Sequence, residues 1–144
     1  MTEEEFQTFL AGGISTYAEE KVKAGNWPAE EALQRSKEAH DRLLPTGLTS
    51  PNQHLYSIEV EGKPVGHLWL STDPQLGAGA GFIYDLFVAE AFRRQGIAKH
   101  AMRLLEQEAL RLGLKSLALH VFAHNVQARS LYEQLGYEVT NINM

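Results

Sequence analysis

Apolar and polar positions change rhythm twice along the chain: the first third is helical, the middle alternates, and the last third switches between the two. Thr2 followed by Glu5 has the form of a capping box. Phe6, Phe9, Leu10, Ile14, Tyr17 and Val22 then recur near the helical period, although Gly12 and Gly13 weaken the pattern. Gly25 suits the left-handed residue past a helix end, and Pro28 suits the first position of a second helix. That helix carries Ala32, Leu33, Ser36, Ala39, Leu43 and Leu44 on one stripe and is stopped by Pro45. Residues 55–60 and 65–70 alternate about Glu61-Gly62-Lys63-Pro64, which predicts a hairpin. Gly77, Gly79 and Gly81 mark a loop into a third strand over 82–88. Ile97, Ala101, Leu104, Leu105, Glu108 and Leu112 form a helical face closed by Gly113, and residues 117–122 read as a short strand. Asn125 can cap a last helix carrying Ala128, Leu131, Tyr132 and Leu135, closed by Gly136. Strand, helix, strand, helix in that order implies a right-handed crossover and a parallel pair. The expected architecture is α/β, or α+β: a mixed central sheet with helices on both faces.

Length adds that 144 residues make one domain, large enough to bury about two thirds of its unfolded surface. No repeat or low-complexity linker divides it. The net charge of −5 argues against nucleic acid and anionic membrane as partners. Without cysteine there is no disulfide, thiolate nucleophile or Cys-ligated zinc. No apolar run approaches the roughly 20 residues that span a bilayer, and the acidic start is unlike a signal peptide. A cytoplasmic protein is expected.

The most informative stretch is Arg93-Arg94-Gln95-Gly96-Ile97-Ala98, which joins a strand end to a helix start. The first turn of a helix leaves N–H groups unpaired at the positive end of its dipole, so anions bind there. Gly96 and Ala98 let a polyphosphate approach the backbone, while the arginines and Lys99 add charge. The same residues also read as a basic helix terminus with a turn-making glycine. Neither GxxxxGK[ST] nor the three-glycine Rossmann fingerprint is present, and Gly77-Ala78-Gly79-Ala80-Gly81 precedes a strand, as a flexible loop does.

With Arg93, Gly96 and Ala98 at their spacing, residues 83–137 resemble the GNAT superfamily of acyl-CoA-dependent N-acetyltransferases. A second block resembles its later strand and helix: Leu119-His120-Val121-Phe122-Ala123-His124-Asn125, then Ala128, Leu131-Tyr132-Glu133 and Leu135-Gly136-Tyr137. The resemblance implies two splayed parallel strands, 82–88 and 117–122, with the pantetheine arm of acetyl-CoA between them. It places Leu86, Phe87 and Val88 along that arm, and Arg93, Arg94, Gln95, Gly96, Ile97, Ala98 and Lys99 around the pyrophosphate. Asn125, Ala128 and Tyr132 complete the cofactor side. It further implies residues 1–45 as a helical acceptor-side segment and 54–144 as the cofactor-binding core. The chain departs from the pattern by starting in a helix and by stopping where a final strand would continue. A homodimer would cover the sheet edges so exposed.

Acetyl transfer requires a neutral amine. For an acceptor like lysine, about one molecule in 2,500 is neutral at pH 7, a cost of about 4–5 kcal/mol. A thiol of pKa about 8.5 leaves far more easily, so base catalysis is the larger demand. Tyr132 falls where relatives place a tyrosine beside the thioester sulfur, and it also reads as an interior residue of an amphipathic helix. His120, Glu59 and a water relay are the candidate bases, with Tyr84 or Asp85 facing the cleft. His120 reads equally as a packed core histidine, and His124 as support for the loop before Asn125. His40, His54, His67 and His100 have no metal-ligand spacing, so no metal is expected. The leading expectation is direct transfer from acetyl-CoA to an amine, small molecule or peptide, through a ternary complex. The alternatives are an acyl-CoA-binding regulatory module without turnover and a site for some other phosphate-bearing ligand.

Overall fold

The computed structural model describes residues 1–142. The chain opens with α1 (Glu3–Lys23) and α2 (Ala29–Leu43), continues through β1 (Gln53–Val60), β2 (Lys63–Ser71) and β3 (Ala80–Val88), and then alternates as α3 (Ile97–Arg111), β4 (Ser116–Leu119) and α4 (Val126–Gln134). The sheet has the order β1-β2-β3-β4, with β3 and β4 parallel and the other pairs antiparallel. It is the expected mixed sheet, with helices on both faces.

The capping box at α1 forms: Glu5 N–H donates to Thr2 Oγ1 at 3.1 Å, and Thr2 N–H to Glu5 Oε1 at 2.7 Å. α1 runs through its paired glycines, and the second of them meets α2. A Cβ on Gly13 would lie 3.4 Å from His40 Nε2, and Ser36 Oγ donates to Ile14 O at 2.7 Å. Phe6, Phe9, Leu44 and Trp69 form the core on this face. Leu68, Leu70, Ile83, Ala101, Met102 and Leu105 form the other, beneath α3. Alternation along β2 therefore sends Trp69 to the α1 side and its neighbours Leu68 and Leu70 to the α3 side.

Several expected details differ. Pro28 is the cap residue before α2 rather than its first residue, and Leu33 is exposed while His40 is buried. On α3 the buried face is Ala101, Met102, Leu105 and Ala109, rotated away from Leu104, which is half exposed. β3 begins two residues before the expected strand; Gly81 sits under Leu114, Leu117 and Leu70, where a Cβ would come within 2.8–3.2 Å of each. β4 ends at Leu119, so 120–122 are not strand. Beyond Leu119 the chain turns towards α1, where Lys21 Nζ lies over the ring of Phe122 and His124 pairs with Glu20. Among the described residues no strand follows α4, and no helix is long and apolar enough to cross a membrane.

Candidate functional site

The parallel pairing of β3 with β4 runs from Ala80/Ser116 to Ile83/Leu119 and stops, although β3 continues to Val88. The register between β2 and β3 slips at the same point: Leu70 faces Ile83 but Trp69 faces Asp85, leaving Tyr84 as a bulged residue. Beyond the bulge, Ala89 N–H donates to Val65 O at 2.8 Å. Antiparallel alternation then directs the amides of Phe87 and Asp85 to β2, and those of Leu86 and Val88 to the opposite side. That side is the gap left by β4. An extended ligand entering it meets a strand edge with backbone donors and acceptors ready to pair.

The gap leads to the start of α3. Gly96 is the cap residue in the left-handed region (φ 77°) and supplies no side-chain cap, so the first N–H groups of a 15-residue helix have no side-chain acceptor. Arg94, two residues earlier, is also left-handed (φ 62°), a sparsely populated conformation for a non-glycine residue. A Cβ built on Gly96 meets no atom within 4 Å, so the space before this turn is open. Arg93 is turned back: its Nε donates to Val88 O at 2.8 Å and its guanidinium lies 5.6 Å from the Phe87 ring. It ties the loop to the strand end. Arg94 and Gln95 stay exposed, and Lys99 is half-buried on the first turn.

On the far side of the gap, Asn125 caps α4 by accepting the Ala128 N–H at 3.2 Å. Tyr132 packs against the α3-side core with its ring 5.9 Å from Tyr137. Burial pushes its pKa up to about 12, helped by the charge of Asp85 and then by Tyr137. The phenol is therefore a neutral donor at any ordinary pH. His120 is exposed beyond the end of β4 with its ring 4.9 Å from Phe122; partial loss of water, then the charge of Lys21, lowers its pKa. It is a neutral imidazole at pH 7.

Glu59 is not brought to this gap. It lies on the outer strand β1, opposite Pro64, and β2 stands between it and β3. There it lines a groove of about 590 Å³ running between β1 and α3 to Gln95 and Gly96. Two features were not predicted from sequence. Asp85 and His67 form a pair at 2.8 Å, and Lys21 Nζ sits 5.4–6.0 Å from the ring centres of Trp27, Tyr17 and Phe122. The first needs the β2–β3 register and the second the path after β4, neither of which local periodicity carries. Among the described residues no cluster could hold a metal ion.

A strand edge opening beside a helix terminus, with a half-buried tyrosine across the gap, defines a known class of fold, and the family comparison agrees. The Acetyltransferase (GNAT) family model matches residues 17–137, and the chain belongs to that family. Among its relatives is the Bacillus subtilis protein named uncharacterized N-acetyltransferase YycN, 45% identical over all of this chain and 93% of that protein. The crystal structure of YycN superposes with a TM-score of 0.95, covering all of this chain and 92% of that one. A second Bacillus subtilis relative, named uncharacterized N-acetyltransferase YdgE, is 40% identical over all of this chain and 92% of that protein. The PaiA N-acetyltransferase of Thermoplasma acidophilum, solved in complex with coenzyme A, shares the fold at a TM-score of 0.69 and 14% identity, over 99% of this chain and 89% of that one.

Proposed function

We propose that the protein transfers the acetyl group of acetyl-CoA directly to an amine, with both substrates bound together. The observation that carries this reading is the parting of β3 from β4 after Ile83 and Leu119, with the amides of Leu86 and Val88 directed into the opening. The pantetheine arm, itself an extended chain of amides, would add there as a strand does. Its pyrophosphate would lie on the uncapped first turn of α3, against Gly96, Ile97 and Ala98, with Arg94 and Lys99 supplying charge. Arg93 would act by shaping the loop. PaiA, bound to coenzyme A, supports the same cofactor, and an acetyltransferase from a soil metagenome, solved with the aminoglycoside sisomicin, supports an amine acceptor. We read the chain as one domain, with residues 1–45 on the acceptor side and 54–144 as the cofactor core.

The chemistry divides between the two ends of the gap. Full proton transfer from a phenol of pKa about 12 to a thiolate of about 8.5 is uphill by about 5 kcal/mol. Tyr132 therefore serves the leaving group by a hydrogen bond to sulfur. Removing the acceptor's proton falls to His120, which is neutral at pH 7, or to a water it orders. Calorimetry with CoA, together with thiol release from acetyl-CoA across a panel of amines, tests the reading. Tight CoA binding with thiol release dependent on an amine is expected. Binding without turnover would make the protein a regulatory acyl-CoA module, and failure to bind CoA would refute the reading entirely.

A further inference from the structure

His67 on β2 and Asp85 on β3 form an ionisable pair for which holding the cofactor gives no reason. The His67 Nε2 and Asp85 Oδ2 are 2.8 Å apart, and because a carboxylate only accepts, Nε2 carries the hydrogen. The imidazole is fixed by packing on both sides: Phe9 meets it edge-on at 4.8 Å and Phe87 stacks on it at 5.1 Å. Its side chain is 16% exposed, whereas that of Asp85 is 37% exposed. The pair thus has a closely packed donor and a more open acceptor.

Its position is specific. Asp85 is the first residue past the Tyr84 bulge and lies beyond the last residue of β3 that pairs with β4. Facing Trp69 across the ladder, it stands on the α1 side, yet its charge reaches Tyr132 on the other side of the gap. The ring of Tyr84, itself 38% exposed, packs 4.7 Å from Trp69 beside it. An anion flanked by aromatic faces attracts an ammonium-bearing molecule.

We propose that Asp85 faces the attacking nitrogen of an alkylammonium acceptor and that His67 is the positioning residue that holds it there. This rests on the acetyl-transfer reading of the gap. The acceptor first loses one proton to His120 or the water it orders, which passes it to solvent. Its nitrogen lone pair then forms the N–C bond to the thioester carbonyl, whose π pair moves onto oxygen. The nitrogen becomes cationic at that moment, and Asp85 stabilises this charge more than it does the neutral amine, which is what speeds a reaction. The carboxylate takes the nitrogen's remaining extra proton. The oxygen's pair re-forms the carbonyl and breaks the C–S bond, and the thiolate, hydrogen-bonded to Tyr132, leaves and collects that proton. One ammonium and acetyl-CoA thus give one amide, CoA thiol and one solvent proton. Without the His67 hydrogen bond, a carboxylate this exposed would turn towards water.

The test uses the full chain with acetyl-CoA and three probe acceptors: propylamine, 1,5-diaminopentane and phenethylamine. Asp85→Asn and Asp85→Ser should lower kcat on the best acceptor about 100-fold or more, with CoA affinity unchanged within about twofold. His67→Phe should lower kcat about 10-fold, and His67→Gln, which keeps a donor near the Nε2 position, should recover most of the loss. Two Asp85 variants guard against one failing to fold, and thermal melts report the fold of each. Asp85 variants with kcat within threefold of wild type would overturn the proposal. So would His67→Gln being as slow as His67→Phe at equal stability, since His67 would then act only in packing. If wild type binds CoA but acetylates none of the probes, the acetyl-transfer reading itself fails, and this inference with it.

Discussion

Gly96 separates what a residue does for the fold from what it does for a ligand. A side chain there meets no protein atom within 4 Å, so its folding cost is only the left-handed backbone at φ 77°. That strain is about 1–2 kcal/mol for an L-residue. At an unfolding entropy of about 2.1 cal/mol/K per residue, a chain of this length would lose roughly 3–7 °C of Tm. Gly25, just past the end of α1, is an internal control: its φ is also 77° and its Cβ direction is equally open. Gly96→Ala and Gly25→Ala should therefore melt alike. They should part company on coenzyme A. If the open space before α3 is where the pyrophosphate sits, a methyl there displaces it from the first-turn N–H groups, and Gly96→Val does so more completely. Loss of about 1.4–3 kcal/mol, or 10- to 150-fold in Kd, is expected for Gly96→Val by calorimetry, with Gly25→Ala within twofold of wild type. The same melting loss in both glycine-to-alanine variants with unchanged CoA affinity in Gly96→Val would place the phosphates elsewhere.

Three further outcomes are expected. Tyr132→Phe should lower kcat about 10- to 100-fold with CoA affinity nearly unchanged, because a hydrogen bond to a charged sulfur is worth about 1.5–3 kcal/mol; steady-state thiol release checks it. If His120 is the base, it works unprotonated, and its pKa lies below the ordinary 6.5. Titration of His120 should then leave the rate unchanged at pH 7 and above and lower it only at pH below the ordinary imidazole value; His120→Ala should lose most of the rate and abolish that acid limb in a pH profile. Gly66→Ala should destabilise strongly, because its Cβ would lie 2.1 Å from the carbonyl oxygen of Phe87. A cost of about 3 kcal/mol, near 10 °C of Tm, should appear by calorimetric melting, and a shift under 2 °C would mean that β2 and β3 can part there without loss.

Periodicity made legible the elements that satisfy themselves locally. The capping box at Thr2, the hairpin about Glu61-Gly62 and the Asn125 cap each need only residues three or four apart, and each appears where the pattern puts it. Where tertiary contact decides, the pattern misled. Leu104 has the hydrophobicity of a core residue, but Met102 and Ala109 take the buried face of α3 because the sheet approaches from their side. Residues 120–122 have the composition of a strand, yet a strand exists only where a neighbour pairs, and β3 has turned away by Ile83. The helix start after the glycine-and-arginine loop was legible from spacing alone. That Arg93 is spent on Val88 was not, because the bond depends on how the loop folds back.

That divergence of β3 from β4 ties these observations together. A parallel pair that stayed in register to Val88 would satisfy the amides of Leu86 and Val88 internally and leave an extended cofactor nothing to pair with. The bulge at Tyr84 directly follows Ile83, the last residue paired with β4, and Asp85 just beyond it stands in register with Trp69, on the face where His67 can hold it. The free strand edge and the fixed carboxylate thus both begin just past a single extra residue. Deleting Tyr84 should restore the alternation, with Asp85 still opposite Trp69, and close the edge. It should abolish CoA binding and turnover together, whereas Tyr84→Phe, which keeps the bulge, should preserve CoA binding. A deletion variant that still folds and binds CoA normally would break the link between the two.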